Sequence, residues 1–224
     1  FARGSRRHFG DQSVNPVIFD FDGTLANSGP IIIECFDLTL KEEQGKEYPP
    51  EFYKPFIGPP LEETFGFLGA EDPARYITTY RRHYFQRMYD TPLFDGVRAM
   101  LEHLDDMGVP MAIATSKRRD AVLLLMQHLG IEERFKVVCG SGDDPSRGKK
   151  QHRVEDALTG LQELGIDTSG AIMVGDRIHD IEGAAANGLD TILVEWGEAP
   201  PEERDEAWRI VETPEELEKL LLSR

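Results

Sequence analysis

Residues 17–28, VIFDFDGTLANS, run an apolar stretch of β-forming residues into two aspartates and a glycine. Val17, Ile18 and Phe19 read as a buried strand, because a short continuous apolar run suits a strand covered on both faces. Asp20 and Asp22 then stand at or just past its carboxyl end, where two like charges repel. Gly23 lets the chain turn sharply there, so that backbone N–H groups after Asp20 can face an anion.

Four further apolar runs repeat the pattern: PMAIATS (110–116), FKVVCG (135–140), GAIMVGD (170–176) and DTILVEWG (190–197). Helical patterns separate them. In DGVRAMLEHLDDMG (95–108), Val97, Met100, Leu101 and Leu104 share one stripe that stops at Gly108. KRRDAVLLLMQHLG (117–130) and VEDALTGLQELG (154–165) have the same design. Strands alternating with helices of this length predict an α/β fold: a doubly wound, Rossmann-like parallel sheet with right-handed crossovers. A last helix is expected in TPEELEKLLL, with Thr213 as N-cap, Pro214 in the first helical position and Glu216 in the capping-box place.

One segment breaks the alternation. Residues 30–90 hold helical patterns only, joined by YPPEFYKPFIGPP (48–60), and are too many for a single crossover. The expected organisation is a leader at 1–15, a core made of 16–29 and 91–224, and an inserted helical cap at 30–90. Tyr76, Tyr80, Tyr84 and Phe85 form an aromatic stripe in that insertion, read as packing rather than ligand binding.

The 224 residues suffice for a sizeable core. No run approaches the roughly 18 apolar residues of a membrane span. The opening FARGSRRHFGDQSVN is basic and lacks the apolar stretch of a secretory signal. Cys35 and Cys139 are expected as free thiols, which suits a cytoplasmic location. Forty-one acidic against twenty-five basic residues give a net charge of −16, the wrong field for a nucleic acid polymer. A small anionic ligand needs a local cation instead.

In an open parallel sheet, ligands bind at the carboxyl ends of the strands beside a switch in strand order. Those ends carry Asp20 and Asp22, then Thr115 and Ser116, then Asp176 with Asp180 following. Carboxylates gathered together stay ionised only beside a compensating cation. Magnesium is expected, because it takes oxygen ligands and bridges to substrate phosphate. Lys149 or Lys150, at the start of a helix, and the Thr115 hydroxyl supply donors for that phosphate.

At this point DFDGTLANS, AIATSK and VGDRIHDIEGAAANG resemble the motifs of the haloacid dehalogenase superfamily, from Pro16 over most of the chain. FIGPPLEETF (56–65) together with ATSK is similar to its phosphoglycolate phosphatase-like and 5'-nucleotidase-like members. The resemblance implies a magnesium-dependent phosphatase acting on a small phosphorylated metabolite. Asp20 would be the nucleophile forming an aspartyl-phosphate, and Asp22 the acid and base. Thr115, the Ser116 N–H and Lys150 would hold the phosphoryl oxygens. Asp20, Asp176, Asp180 and the main-chain carbonyl of Asp22 would hold the metal. Lys150 is favoured over Lys149 because this branch places its lysine four residues before an aliphatic residue, here Val154. Gly58, Pro59, Pro60, Leu61 and Arg81 are candidates for the leaving group, against a plain packing role.

Two departures stand out. Asn27 replaces a frequent aspartate, and CGSGDDPSRGKK (139–150) is unusually acidic and glycine-rich, which leaves Lys149 open. A phosphosugar mutase of the same fold and a catalytically silent phosphate-binding module are the alternatives. A monomer or weak dimer is expected.

Overall fold

A computed structural model describes residues 14–197 and 199–224. The leader expected over 1–15 lies, as far as residue 13, outside the described residues. The elements run β1 (Val17–Phe19), α1 (Gly29–Gln44), α2 (Pro50–Tyr53), α3 (Leu61–Phe67), α4 (Pro73–Phe85), α5 (Val97–Asp106), β2 (Met111–Arg118), α6 (Arg119–Leu129), β3 (Val137–Ser141), α7 (Lys150–Glu163), β4 (Ile172–Gly175), α8 (Ile178–Ala185), β5 (Thr191–Val194), β6 (Arg209–Val211) and α9 (Pro214–Leu222).

The strands form one parallel sheet in the order β3-β2-β1-β4-β5-β6. From β1 the chain builds outward through β2 and β3 on one side, then returns to β4 and builds outward on the other. The crevice between β1 and β4 is therefore the switch point where such sheets bind ligands. Val17 pairs with Met111 and Ile172, and Phe19 with Ile113 and Val174. This register brings the residues after β1, β2 and β4 to one level. Asp20 N–H, donating to the Val174 carbonyl at 2.9 Å, continues the ladder into the site.

Period-two alternation splits the apolar residues between the two faces. Ile18, Ala112, Ala114 and Met173 pack with Val154, Ala157 and Leu161 of α7 and Ala184 of α8. Val17, Phe19, Met111, Ile113, Ile172 and Val174 face the opposite layer, with α5, α6 and α9. Both faces are covered, as continuous apolar strands require. In α9 the Thr213 hydroxyl accepts the Glu216 N–H at 3.2 Å, while the Glu216 carboxylate reaches back to the Glu212 N–H at 2.8 Å.

Helices α1 to α4 stand between β1 and β2 in sequence. Phe36, fully buried, gathers Tyr53, Phe56, Phe65 and Tyr80 around it at ring distances of 5.0–6.3 Å. At the entry and exit of this segment, Ala26 bridges Leu93 and Asn27 N–H donates to the Pro92 carbonyl at 2.9 Å. The aromatic stripe divides: Tyr76 and Tyr80 are buried packing, whereas Tyr84 contacts a lysine of the site and Phe85 is exposed. β6 was not expected from sequence.

Candidate active site

Asp20 is 4% exposed, and one carboxylate oxygen accepts both its neighbour's N–H (Phe21, 2.8 Å) and the Lys150 ammonium (2.8 Å). Lys150 opens α7 and runs along the face of α8, where the missing side chain of Gly183 leaves room: a Cβ there would come within 2.8 Å of the lysine stem. Its ammonium also donates to the Ala114 carbonyl at 3.1 Å and lies 3.0 Å from Asp180 Oδ1. Lys149, one residue earlier, is exposed at the N-cap of α7. Of the two candidate lysines, Lys150 is the one brought to the carboxylates.

Asp176 follows β4, and its Oδ1 accepts the Thr24 hydroxyl at 3.2 Å. Asp180 turns back over the first turn of α8, and its Oδ2 accepts the N–H groups of Asp176 and Arg177, both at 3.1 Å. Backbone fits closely around these groups. Gly23 has φ +80°, and a Cβ on it would stand 2.2 Å from Asp176 Oδ2. A Cβ on Gly197 would meet the same oxygen at 2.7 Å.

Carboxylate oxygens of Asp20, Asp176 and Asp180 lie within 4.8 Å of one another, all three buried. One ammonium cannot balance three carboxylates at this depth. Burial, followed by the charge of Asp180, pushes the Asp20 carboxyl up to about 7 despite Lys150. Burial and the charges of Asp20 and Asp180 hold Asp176 well above the usual carboxylate range. Lys150 is opposed by burial but held up by Asp180 and Asp20. Asp180 Oδ1 is buried, and beyond its ion pair with the Lys150 ammonium it meets no donor among the described residues. An all-oxygen donor set with a surplus of negative charge fits a hard divalent cation.

The Asp22 side chain stands outside that triad. Ser28 donates to its Oδ1 at 2.6 Å, and Lys117 Nζ lies 3.3 Å from its Oδ2. Lys117 also donates to the Tyr84 hydroxyl at 2.7 Å and sits 4.0 Å over that ring, so it joins α4 to Asp22. Burial opposes its charge, but Asp22 and Tyr84 raise the ammonium above its usual range. Thr115 is buried at the start of the irregular end of β2, and its hydroxyl accepts the Lys117 N–H at 3.1 Å. Ser116 is half-buried beside it.

Asp20, Asp22, Thr115 and Ser116 open onto a cavity of about 350 Å³ that is also lined by Gly58, Pro59, Pro60, Leu61 and Arg81. Its size suits a small molecule. Both cysteines are free and buried or half-buried; burial pushes Cys35 up to about 12 and Cys139 up to about 11, so neither is a poised nucleophile.

A sequence model of haloacid dehalogenase-like hydrolases matches residues 17–194. The chain belongs to that family. Among curated relatives of this haloacid dehalogenase-like hydrolase, Tyrosine-protein kinase PtkA of Mycobacterium tuberculosis is 38% identical over 188 residues, 83% of this chain. The chain spans 64% of that relative's length. Pyrophosphatase PpaX of Bacillus pumilus is 34% identical over 187 residues, 83% of this chain and 85% of the relative. The crystal structure of a predicted phosphatase from Clostridium acetobutylicum superposes with a TM-score of 0.86 at 30% identity, covering 94% of this chain and 99% of that one.

Sequence reasoning missed three groups of the site: Lys117 with Tyr84, Ser28, and Arg177. Arg177, buried beside Asp176, forks onto Glu203 at 2.8 and 2.9 Å and donates to the carbonyls of Pro55 (3.1 Å) and Ile57 (2.6 Å). It thereby ties the stretch leading to Gly58 onto the loop that carries Asp176. The adjacency of Arg177 to Asp176 was the one signal in the sequence.

Proposed function

We propose that this haloacid dehalogenase-like hydrolase is a magnesium-dependent phosphatase of small phosphomonoesters, working through an aspartyl-phosphate on Asp20. One observation carries the reading: three buried carboxylates, Asp20, Asp176 and Asp180, gather at the switch point of the sheet with Lys150 paired to only two of them, Asp20 and Asp180, beside a cavity of small-molecule size. A module that only bound phosphate would not bury surplus negative charge against its ligand.

Asp20, fixed by the last ladder bond of β1, attacks the phosphorus in line, forming the Asp20–phosphorus bond as the ester oxygen departs. Asp22, oriented by Ser28 and Lys117, gives its proton to the departing alkoxide. It then takes one from the water that cleaves the aspartyl-phosphate, which restores both aspartates and releases phosphate. Lys150, the Thr115 hydroxyl and the Ser116 N–H hold the phosphoryl oxygens. Magnesium, held by Asp20, Asp176, Asp180 and the Asp22 carbonyl, would offset the negative charge that otherwise keeps phosphate and carboxylates apart. Residues 30–90 serve as a cap over a core of 16–29 and 91–224, and exclude bulk water from the cavity.

Phosphoglycolate, pyrophosphate, nucleoside monophosphates and sugar phosphates form the test panel, with magnesium and with excess chelator. Magnesium-dependent phosphate release that Asp20→Asn abolishes supports the reading. Near-normal turnover by that variant, or full activity in chelator, overturns it. The 38% identity to a protein named as a tyrosine kinase favours a second reading, in which the phosphoryl group passes to a tyrosine hydroxyl. Label moving from nucleotide to protein tyrosine, without phosphate release from any panel member, would favour it.

A further inference from the structure

Gly58, Pro59 and Pro60 line the cavity, yet the stretch that carries them is poorly equipped to hold itself. Of residues 55–60, PFIGPP, three are prolines, which have no N–H to give. The Ile57 N–H closes one turn onto the Lys54 carbonyl at 3.2 Å, and the Arg177 guanidinium meets the carbonyls of Pro55 and Ile57 at the end of that turn. The arginine stem backs it as well, since a Cβ on Gly58 would stand 3.7 Å from Arg177 Cγ.

Neither Arg177 nor its partner Glu203 lines the cavity. Glu203, on the turn Pro201–Arg204, takes the guanidinium fork on both oxygens and accepts the Ile178 N–H at 3.0 Å. Burial opposes its charge, but Arg177 and the Ile178 N–H bring the carboxyl below its usual range. The Arg177 main chain is fixed separately, by its N–H donating to Asp180 Oδ2, and Asp180 is one of the three gathered carboxylates. A continuous path of bonds therefore runs from Asp180, through the Arg177 main chain and guanidinium, to the carbonyls that set Gly58.

We propose that Arg177 and Glu203 are positioning residues that couple the cavity lining at Gly58, Pro59 and Pro60 to the carboxylate cluster. When a divalent cation fixes Asp176 and Asp180, Glu203 keeps the guanidinium in place, so that the lining is fixed with them. What the cavity holds rests on the phosphatase reading above. The coupling rests on the bonds of Arg177 alone.

The test is hydrogen exchange at the Ile57 amide, followed by NMR in chelator and in excess magnesium, with calorimetry to show that magnesium is bound. In the wild type, magnesium is expected to slow this exchange about tenfold, the equivalent of one charge-assisted hydrogen bond. Glu203→Gln keeps the shape of the side chain and removes its charge. It should lose the response while the β4 amides keep their protection. Coupling is reciprocal, so its magnesium affinity falls by no more than the same factor, and excess magnesium still fills the site. Arg177→Gln should behave alike, and the double variant no worse than either, because the two act as a unit. With whichever phosphomonoester is turned over, Glu203→Gln is expected to raise KM about tenfold and to change kcat less than about threefold.

Bound magnesium without slower exchange in the wild type overturns the proposal. So does a response that survives Glu203→Gln, a loss of protection across β4 and α8 in the variants, or a fall in kcat with KM unchanged. Failure of the phosphatase reading is separate: it appears as absent phosphate release while the magnesium response at Ile57 persists.

Discussion

The floor and the wall of the cavity are built in opposite ways. On the floor, Asp20, Asp180 and Lys150 are held by main-chain N–H and carbonyl groups at strand ends and at the first turn of α8, and Asp176 by the Thr24 hydroxyl, within a sheet buried on both faces. Along the wall, long or aromatic side chains from α1 and α4 meet the space directly, Arg81 among them. A floor with fixed dipoles suits one chemical step, because its groups need no reorganisation. A wall of side chains can change its preference without disturbing that step.

Substitutions at the floor should therefore cost activity or stability heavily, and substitutions at the wall should alter selectivity. Gly23→Ala is the severest test, since its Cβ would stand 2.2 Å from Asp176 Oδ2 on a backbone that L residues rarely adopt. Turnover is expected to fall about a hundredfold or more, measured as phosphate release, and near-normal rates would mean that the Asp176 position is not critical. Lys150→Met removes the ammonium paired with the buried Asp20 and Asp180. A loss of about 3 kcal/mol or more is expected in chelator, read from urea denaturation, with a larger loss at pH 8 than at pH 5.

Arg177→Gln frees two carbonyls of the wall, Pro55 and Ile57, from a buried fork. It should cost about 2 kcal/mol and raise KM more than it lowers kcat, with little rescue by lysine, whose ammonium cannot reproduce the fork. Magnesium linkage is subtler. Because Asp20 is pushed up to about 7 from an ordinary value near 3.8, the folded protein without cation holds more protons than the unfolded chain between those values. Stability in chelator should fall as pH rises through that window, and added magnesium should raise Tm more at pH 8 than at pH 5. Equal shifts at both would show that the ion does not meet these carboxylates. The smallest effect is expected from Phe85→Ala at the half-open rim, about 0.5 kcal/mol or less, with a changed order of preference in the substrate panel.

The same contrast explains what the sequence could reveal. Asp20, Thr115 and Asp176 follow apolar runs directly, so strand period and sheet topology alone carry them to one rim. Lys150 was legible as one of two lysines, and α7 settles which of them turns inward because only one faces Gly183. Lys117 and Arg177 were not legible, because their long side chains reach partners 26 and more residues away in sequence. β6 escaped notice because two of its three residues, Arg209 and Ile210, are exposed and give it no apolar run. The helical insertion was readable as helices, but which aromatic rings pack and which face the cavity depends on how α1 and α4 are rotated.

The most direct test of the central claim is a single turnover with phosphorus-labelled substrate, quenched in acid and mapped by peptide. The account predicts transient, hydroxylamine-labile label on the peptide containing Asp20, absent from Asp20→Asn. Label on another residue, or phosphate released at full rate by Asp20→Asn, would contradict it.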